Sequence, residues 1–383
     1  MISSRVNPPY WRLSGFYFFY FASLGVIMPY WGLYLQSIGF SALEIGELLA
    51  ILMATKMVAP YLWAWLADYS LRRVKIIQFG SLGAAASFLG VFWGEGYIWV
   101  ALVMLLFSFF WNATLPQFET VTLNHLGDQS HQYSYIRLWG SIGFVLVVSA
   151  VGPFLEQFGV SYVPVIIFVI LAIIWLLSLL TPEANSKLSS SDSVSLLTVL
   201  AQPHVIVLFS ICFLMQASHG PYYAFYSIFL EESGYSRSLI GQLWALGVVA
   251  EIIVFLFMRQ LLQKFDAKHL LMVCFVFAGI RWLLIGYCIE YLSIIIVAQL
   301  LHAASFGMYH AVVIHLVHTW FAGGLQGRGQ ALYSSVSFGA GGVAGALFSG
   351  YLWSDKGASF VFTVSTIFCM VGLILTVKSL KYR

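Results

Sequence analysis

Twelve apolar stretches, each long enough to cross a lipid bilayer as a helix, recur along the 383 residues and leave little chain between them. A helix needs about 20 mostly apolar residues to span the ~30 Å of hydrocarbon. The stretches run roughly over 11–36, 43–67, 74–94, 96–123, 134–157, 160–181, 204–230, 239–259, 269–289, 291–319, 329–352 and 358–378. They are too long and too uniformly apolar to be the short alternating strands of a barrel. Composition agrees: 61% of residues are hydrophobic and 9% are charged, against about 25% charged in a soluble domain. With 18 Lys+Arg and 15 Asp+Glu, a soluble fold of this size could not cover its surface with polar side chains. The expected fold is an all-α integral membrane bundle of twelve helices. A soluble enzyme, a secreted disulfide scaffold and a disordered chain are excluded.

The formal charge of +3 comes without the dense basic cluster that nucleic-acid binding requires. Cys212, Cys274, Cys288 and Cys369 each lie in an apolar run and form no C-x-x-C pair, so they read as small apolar side chains. Arg5 and Pro8-Pro9 precede the first span, with no short apolar core and small-residue cleavage site, so a retained helix is expected there, not a signal peptide. Orientation follows from the basic residues. With the N-terminus inside, the inner set is Arg5, Arg12, Arg72, Arg73, Lys75, Arg137, Lys187, Arg259, Lys264, Lys268, Arg328, Lys378, Lys381 and Arg383, while the outer loops hold only Arg237 and Lys356. Lys56 and Arg281 remain inside spans. Both termini are therefore expected in the cytoplasm of a cell whose inner membrane holds the chain. A polar stretch from Thr181 to Gln202, with Ser186, Ser189, Ser190, Ser191, Ser193 and Ser195, divides the chain. The expected organisation is an N-terminal six-helix half (1–181), a cytoplasmic linker (182–203) and a C-terminal six-helix half (204–383).

An internal repeat supports that division. A shift of 195 residues lays Leu35, Gly39, Ser41, Ile45, Gly46 and Leu48 on Leu230, Gly234, Ser236, Ile240, Gly241 and Leu243, with Phe40 on Tyr235. The two copies sit at the junctions of spans one and two and of spans seven and eight, on the same side of the membrane. The repeat is thus parallel, which suits two six-helix halves rocking about a site near the midplane. The same shift lays Lys56 on Glu251, so each half carries an ionisable residue at one equivalent place in its second helix.

The loop after the second span reads Ala64-Trp65-Leu66-Ala67-Asp68-Tyr69-Ser70-Leu71-Arg72-Arg73. It resembles the G-x-L-A-D-R-x-G-R-R/K motif of the major facilitator superfamily, matching at Asp68, Arg72 and Arg73 and departing at Ala64, Tyr69 and Leu71. Three further stretches resemble the phenylpropionate permease family, relatives of lactose permease and of nucleoside/proton symporters. They are His219 to Glu251, which includes Tyr222-Tyr223 and Leu243-Trp244-Ala245-Leu246-Gly247; Arg137-Leu138-Trp139-Gly140-Ser141-Ile142-Gly143-Phe144; and Arg281-Trp282 followed by Leu301-His302 and His310. The resemblance implies a proton-coupled symporter of small solutes, with aromatic carboxylates such as 3-phenylpropionate as the first candidates. Sugars or nucleosides, and a proton-driven exporter on the same fold, are the alternatives. Asp68, Arg72 and Arg73 would then serve gating.

Charges inside a membrane are costly and are functional candidates by default. Here they are Lys56, Glu119, Arg137, Glu251 and Arg281. Glu251, Arg281 and His302, on the eighth, ninth and tenth spans, form one constellation. A carboxylate in apolar surroundings holds its proton, and a nearby guanidinium favours its release. Motion of one against the other would couple protons to transport, and lactose permease has a similar Glu, Arg and His set. The alternative is a static ion pair that fixes helix packing. Glu119 and Arg137 resemble a paired acid and base that serves the sugar in lactose permease, although Arg137 would equally suit a cytoplasmic anchor. Lys56 is a cationic partner for Glu119 or for an anionic substrate, holding a carboxylate as a point charge. His219, Tyr223, Tyr226 and His310 complete the candidate substrate set, with ordinary packing as the bland reading of the tyrosines.

The tenth span also carries His315 and His318. At 100° per residue, His310 points about 80° from His302, and the four histidines do not share one face. Neither a metal nor another cofactor is expected. Gly339-Ala340-Gly341-Gly342-Val343-Ala344 fits G-x-G-x-x-A but lies inside an apolar span, where Gly341 and Gly345 read better as a close helix contact. No G-x-S-x-G elbow and no nucleotide-binding motif is present, which argues against a hydrolase and against ATP-driven transport. The expected partners are protons, a small-molecule substrate and the lipid bilayer, without nucleic acid, with the monomer as the working unit.

Overall fold

A computed structural model describes residues 8–70, 72–184, 196–321 and 323–379. Arg5, Leu71, Lys187, Lys381, Arg383 and the serine-rich part of the expected linker (185–195) lie outside the described residues. The helices are α1 (Tyr10–Ser37), α2 (Ala42–Ser70), α3 (Arg73–Phe92), α4 (Tyr97–Leu126), α5 (Tyr133–Phe158), α6 (Val160–Leu180), α7 (Pro203–Glu232), α8 (Arg237–Lys264), α9 (Ala267–Tyr287) and α10 (Leu292–Trp320). A last run, Gln326–Lys378, breaks at Gly357 (φ 78°, ψ 166°) into α11 (326–356) and α12 (358–378). Counting that run once, ten of these are long and apolar enough to cross a membrane. At 29 residues α2 is long enough too, and it carries Glu44, Glu47, Lys56 and Asp68. The chain is a multi-pass membrane protein.

The repeat seen in the sequence has the same backbone in both copies. Gly39 and Gly234 take φ of 95° and 87°, the left-handed conformation in which glycine is free of Cβ strain. In each turn the residue after the glycine reaches back, Phe40 N–H to Leu35 O at 3.1 Å and Tyr235 N–H to Leu230 O at 3.0 Å. That is the Schellman closure of a helix. Two residues on, Ser41 and Ser236 cap the next helix, accepting from Glu44 N–H and Leu239 N–H at 3.3 Å each.

The helix pairs that join the two groups of six obey the same relation. A Cβ added at Gly46 on α2 would sit 2.7 Å from Ala346 O on α11, and one at Gly241 on α8 would sit 2.5 Å from Val148 O on α5. Bare glycine lets both crossings close to backbone contact. Gly345 does the same against Ala217 O of α7 at 2.7 Å, so the Gly341/Gly345 pair is a helix contact. Among the described residues, most hydrogen bonds between the first six and last six helices lie at the end that carries these two turns. There Gln36 donates to Glu232 at 2.9 Å, Arg237 donates to Leu155 O at 3.1 Å and Ser238 N–H donates to Glu156 at 3.1 Å. Deeper toward the end that carries the termini, Ser335 donates to Tyr61 at 3.1 Å.

Two helices depart from α geometry. α7 is interrupted at His219, where Pro221 lacks the N–H that would continue the ladder, and the His219 ring bonds Met215 O at 2.8 Å. α10 and α11 each contain a π-helical stretch, Ala303–Met308 and Ser335–Gly341. Such stretches are frequent at functional sites.

Candidate transport site

In the second half of the bundle, α8, α9 and α10 bring Glu251, Arg281 and His302 into one region, but not as a triad. His302 Nε2 lies 3.6 Å from Glu251 Oε2. Gly307, in the π stretch of α10, makes that approach possible: a Cβ there would lie 2.7 Å from Glu251 Cγ. Arg281 is fully buried and engaged elsewhere. It donates to Ala298 O at 3.1 Å, and to Ser305 Oγ and Gln299 Oε1 at 3.4 Å each, and its guanidinium lies 4.0 Å from the Tyr222 ring centroid. Among the described residues Arg73–Asp68 and Arg237–Glu231 are ion pairs, and His269 and His302 lie within 4 Å of the carboxylates of Asp266 and Glu251. The Glu251 carboxylate thus faces His302 and not Arg281. Gln299 and Ser305, which hold the guanidinium, did not stand out in the sequence; their spacing of three residues on either side of His302 was the available signal.

The angle expected between His302 and His310 is corrected by the winding of α10. The π stretch turns less per residue than an α-helix and brings both rings onto one face. His302, Phe306 and His310 form a ladder of near-parallel rings, with centroids 5.2 and 6.2 Å apart and each pair inclined by 7°. His310 Nδ1 is 2.9 Å from the Tyr333 hydroxyl of α11. His219 is fully buried, 4.7 Å edge-on to Trp282. Tyr226 is likewise fully buried, and its hydroxyl has no partner among the described residues. Tyr223 is half-buried and lines a small cavity with Met28, Leu49, Met53 and Gln216.

In the first half, Glu119 and Arg137 make no ion pair. Glu119 accepts from the Tyr133 hydroxyl at 3.2 Å, and Arg137 lies flat on Phe21, 3.8 Å from the ring centroid, with Tyr17 at 5.9 Å. Lys56 is half-buried, one turn beyond Met53 on the α2 face that includes Leu49, and has no ion-pair partner among the described residues. Thr55, beside it, is tied to α4 through Asn112 at 2.8 Å and Ser108 at 2.9 Å.

At the termini end, Asp68 and Arg73 form an ion pair within the α2–α3 turn. Arg73 also donates to Gln117 of α4 at 2.6 Å, and Glu183 caps α3 by accepting from Val74 N–H at 3.2 Å. Arg72 is exposed. The structure thus joins Asp68 and Arg73 to α4 and leaves Arg72 outside that contact.

A probable 3-phenylpropionic acid transporter of Escherichia coli (strain K12) is 28% identical over 371 residues, covering 94% of this chain and 96% of the relative. A maltose permease of Geobacillus stearothermophilus is 27% identical over 95% of this chain and 93% of its own. The fold matches that of a mutant of the nucleoside transporter NupG with a TM-score of 0.87 at 17% identity, over 97% of this chain and all of the other. It also matches a bacterial homologue of the lysosomal transporter Spinster in an inward-facing, unoccupied conformation, with a TM-score of 0.71 at 13% identity over 99% and 96% of the two chains. The model of the MFS_1 like family matches residues 10–364, and the chain belongs to that family of major facilitator transporters, not to an enzyme family.

Proposed function

We propose that this secondary transporter is a proton symporter that imports a small aromatic carboxylate by alternating access. The observation that carries the reading is the Arg137 guanidinium, framed by Phe21 and Tyr17 and free of any carboxylate within ion-pair distance among the described residues. A planar guanidinium binds a carboxylate through two parallel hydrogen bonds, and the surrounding rings suit an aromatic body. In this reading Lys56 of α2 is the second positive charge, and Glu119, through Tyr133, fixes the Arg137 side of the site. Glu251, against His302, takes the coupled proton. The relative named as a probable 3-phenylpropionic acid transporter supports the same substrate class. With both termini cytoplasmic, the joined end of the bundle is the outer one, and this conformation is closed to the outside.

Binding of 3-phenylpropionate and of its uncharged amide to the purified protein tests the reading. The acid should bind about ten-fold or more tightly than the amide, and Arg137→Gln should remove that advantage. Lys56→Met should reduce it by less, because an ammonium acts only as a point charge. Equal binding of acid and amide to the wild type would overturn the carboxylate reading. It would favour a neutral sugar or nucleoside, the second reading, which the maltose permease relative supports. In liposomes, an imposed proton gradient that expels substrate instead of accumulating it would show an exporter.

A further inference from the structure

One wall of the site carries a polar group that a plain phenyl ring cannot satisfy. His310 is half-buried on α10, and its Nδ1 is engaged by the Tyr333 hydroxyl at 2.9 Å. Tyr333 is almost fully buried on α11, so its position is fixed by packing, and Phe338 lies against both rings, with centroids 6.1 and 5.6 Å away. The phenol occupies Nδ1, so Nε2 is the ring atom left to hydrogen-bond a ligand, as donor or acceptor according to tautomer. That Nε2 makes no hydrogen bond among the described residues and is not one of the enclosed polar atoms. Phe306 holds the ring from one side, stacked at 6.2 Å and 7°. Phe306 also lies 6.5 Å from Tyr223, which lines the small cavity shared with Met28, Leu49 and Met53 of the first six helices. An imidazole oriented by Tyr333 therefore borders the space between the first six and last six helices, with the ring of Phe306 beside it.

We propose that His310, held by Tyr333, is a specificity-determining residue that binds a hydroxyl group on the substrate ring, so that the preferred cargo is a ring-hydroxylated aromatic carboxylate. This rests on the aromatic-acid reading above and sharpens it. An unsubstituted ring would take water from Nε2 and return nothing, and a site built around a polar group discriminates against the ligand that lacks the matching group. A hydroxyl restores the bond. In the same way Tyr133 holds Glu119 on α4 and α5, the fourth and fifth helices of the first half, as α10 and α11 are of the second. Each half thus uses a tyrosine hydroxyl to orient one polar side chain. Tyr333 is a positioning residue and acts through His310.

The test is a ratio of affinities. The purified full-length protein is titrated with 3-phenylpropionate and with each of the three positional isomers of 3-(hydroxyphenyl)propionate. In the wild type at least one isomer should bind about ten-fold or more tightly than the unsubstituted acid. His310→Phe should bring that ratio close to one, and Tyr333→Phe, which removes a single hydroxyl, should reduce it in part. Arg137→Gln should weaken both ligands while leaving the ratio in place, which a merely structural role for His310 would not separate. If His310→Phe does not fold, His310→Leu and Tyr333→Phe carry the same readout. Equal affinities in the wild type, or an unchanged ratio in the folded His310 and Tyr333 variants, would overturn the proposal and leave the aromatic-acid reading standing. Failure of every acid to bind the wild type would overturn both.

Discussion

Glu251 sits where a carboxylate can give up a proton without leaving a charge stranded. His302 lies 3.6 Å away, and the nearest guanidinium in its own half, Arg281, is occupied by Ala298 O, Gln299 and Ser305. Buried charge is tolerated only when paired or neutralised, so protonation of Glu251 is a natural step before the helices around it move. Glu251→Gln, which mimics the protonated state, should abolish accumulation driven by a proton gradient. Exchange of labelled for unlabelled solute at equal concentrations, which needs no net proton movement, should persist. Equal loss of both would move Glu251 out of the proton role. The ionisable residues of this region were legible in the sequence because any charge in an apolar span is conspicuous. Their partners were not: Gln299, Ser305 and Tyr333 are neutral residues of ordinary kinds. The expectation that Glu251 faces Arg281 is not what the side chains do here, because neutral acceptors on α10 already hold the guanidinium.

Helices in this bundle are placed by their exceptions to regularity. The spans and the turn repeat were legible, since apolar length and the Gly39/Gly234 and Ser41/Ser236 matches are local properties of the chain. The winding of α10 was not, because nothing in Ala303–Met308 marks a π stretch, and a uniform helical wheel sends His310 away from His302. Packing against α8 at Gly307 decides that winding, and packing is not local. Glycine crossings are a second exception with a direct consequence. At Gly241 a side chain would meet Val148 O at 2.5 Å and the Tyr30 hydroxyl at 2.4 Å, and a backbone carbonyl cannot rotate aside. Gly241→Val should therefore prevent α8 and α5 from closing. Overpacking of this kind costs about 1–3 kcal/mol. The expected outcome is a lower melting temperature together with faster thiol labelling of a cysteine placed at Ser238. Unchanged melting and labelling would show that α8 and α5 accommodate the side chain by sliding.

Across the whole molecule, the first six and the last six helices share a cluster of hydrogen bonds at one end. Glu156 accepts from the Ser238 backbone and side chain, Arg237 bridges Glu231 and the Leu155 carbonyl, and Gln36 reaches Glu232. These groups are exposed or part-buried, and pairs of that kind contribute little individually. A latch of weak contacts suits a joint that must open in every cycle, since it holds one state without making it permanent. Alternating access predicts that fastening this joint stops transport while leaving the site open from the other end. A short thiol crosslinker between Glu156→Cys and Ser238→Cys tests this. Cys288 is replaced by Ser in that background, because Cys212, Cys274 and Cys369 are buried while Cys288 is partly accessible. Uptake into liposomes should fall in proportion to the crosslinked fraction, and a cleavable linker should restore it on reduction. Substrate should still bind the crosslinked protein in detergent, by way of the termini end. Full transport by fully crosslinked protein would mean that this joint does not part during the cycle, and that access to the site runs by another route.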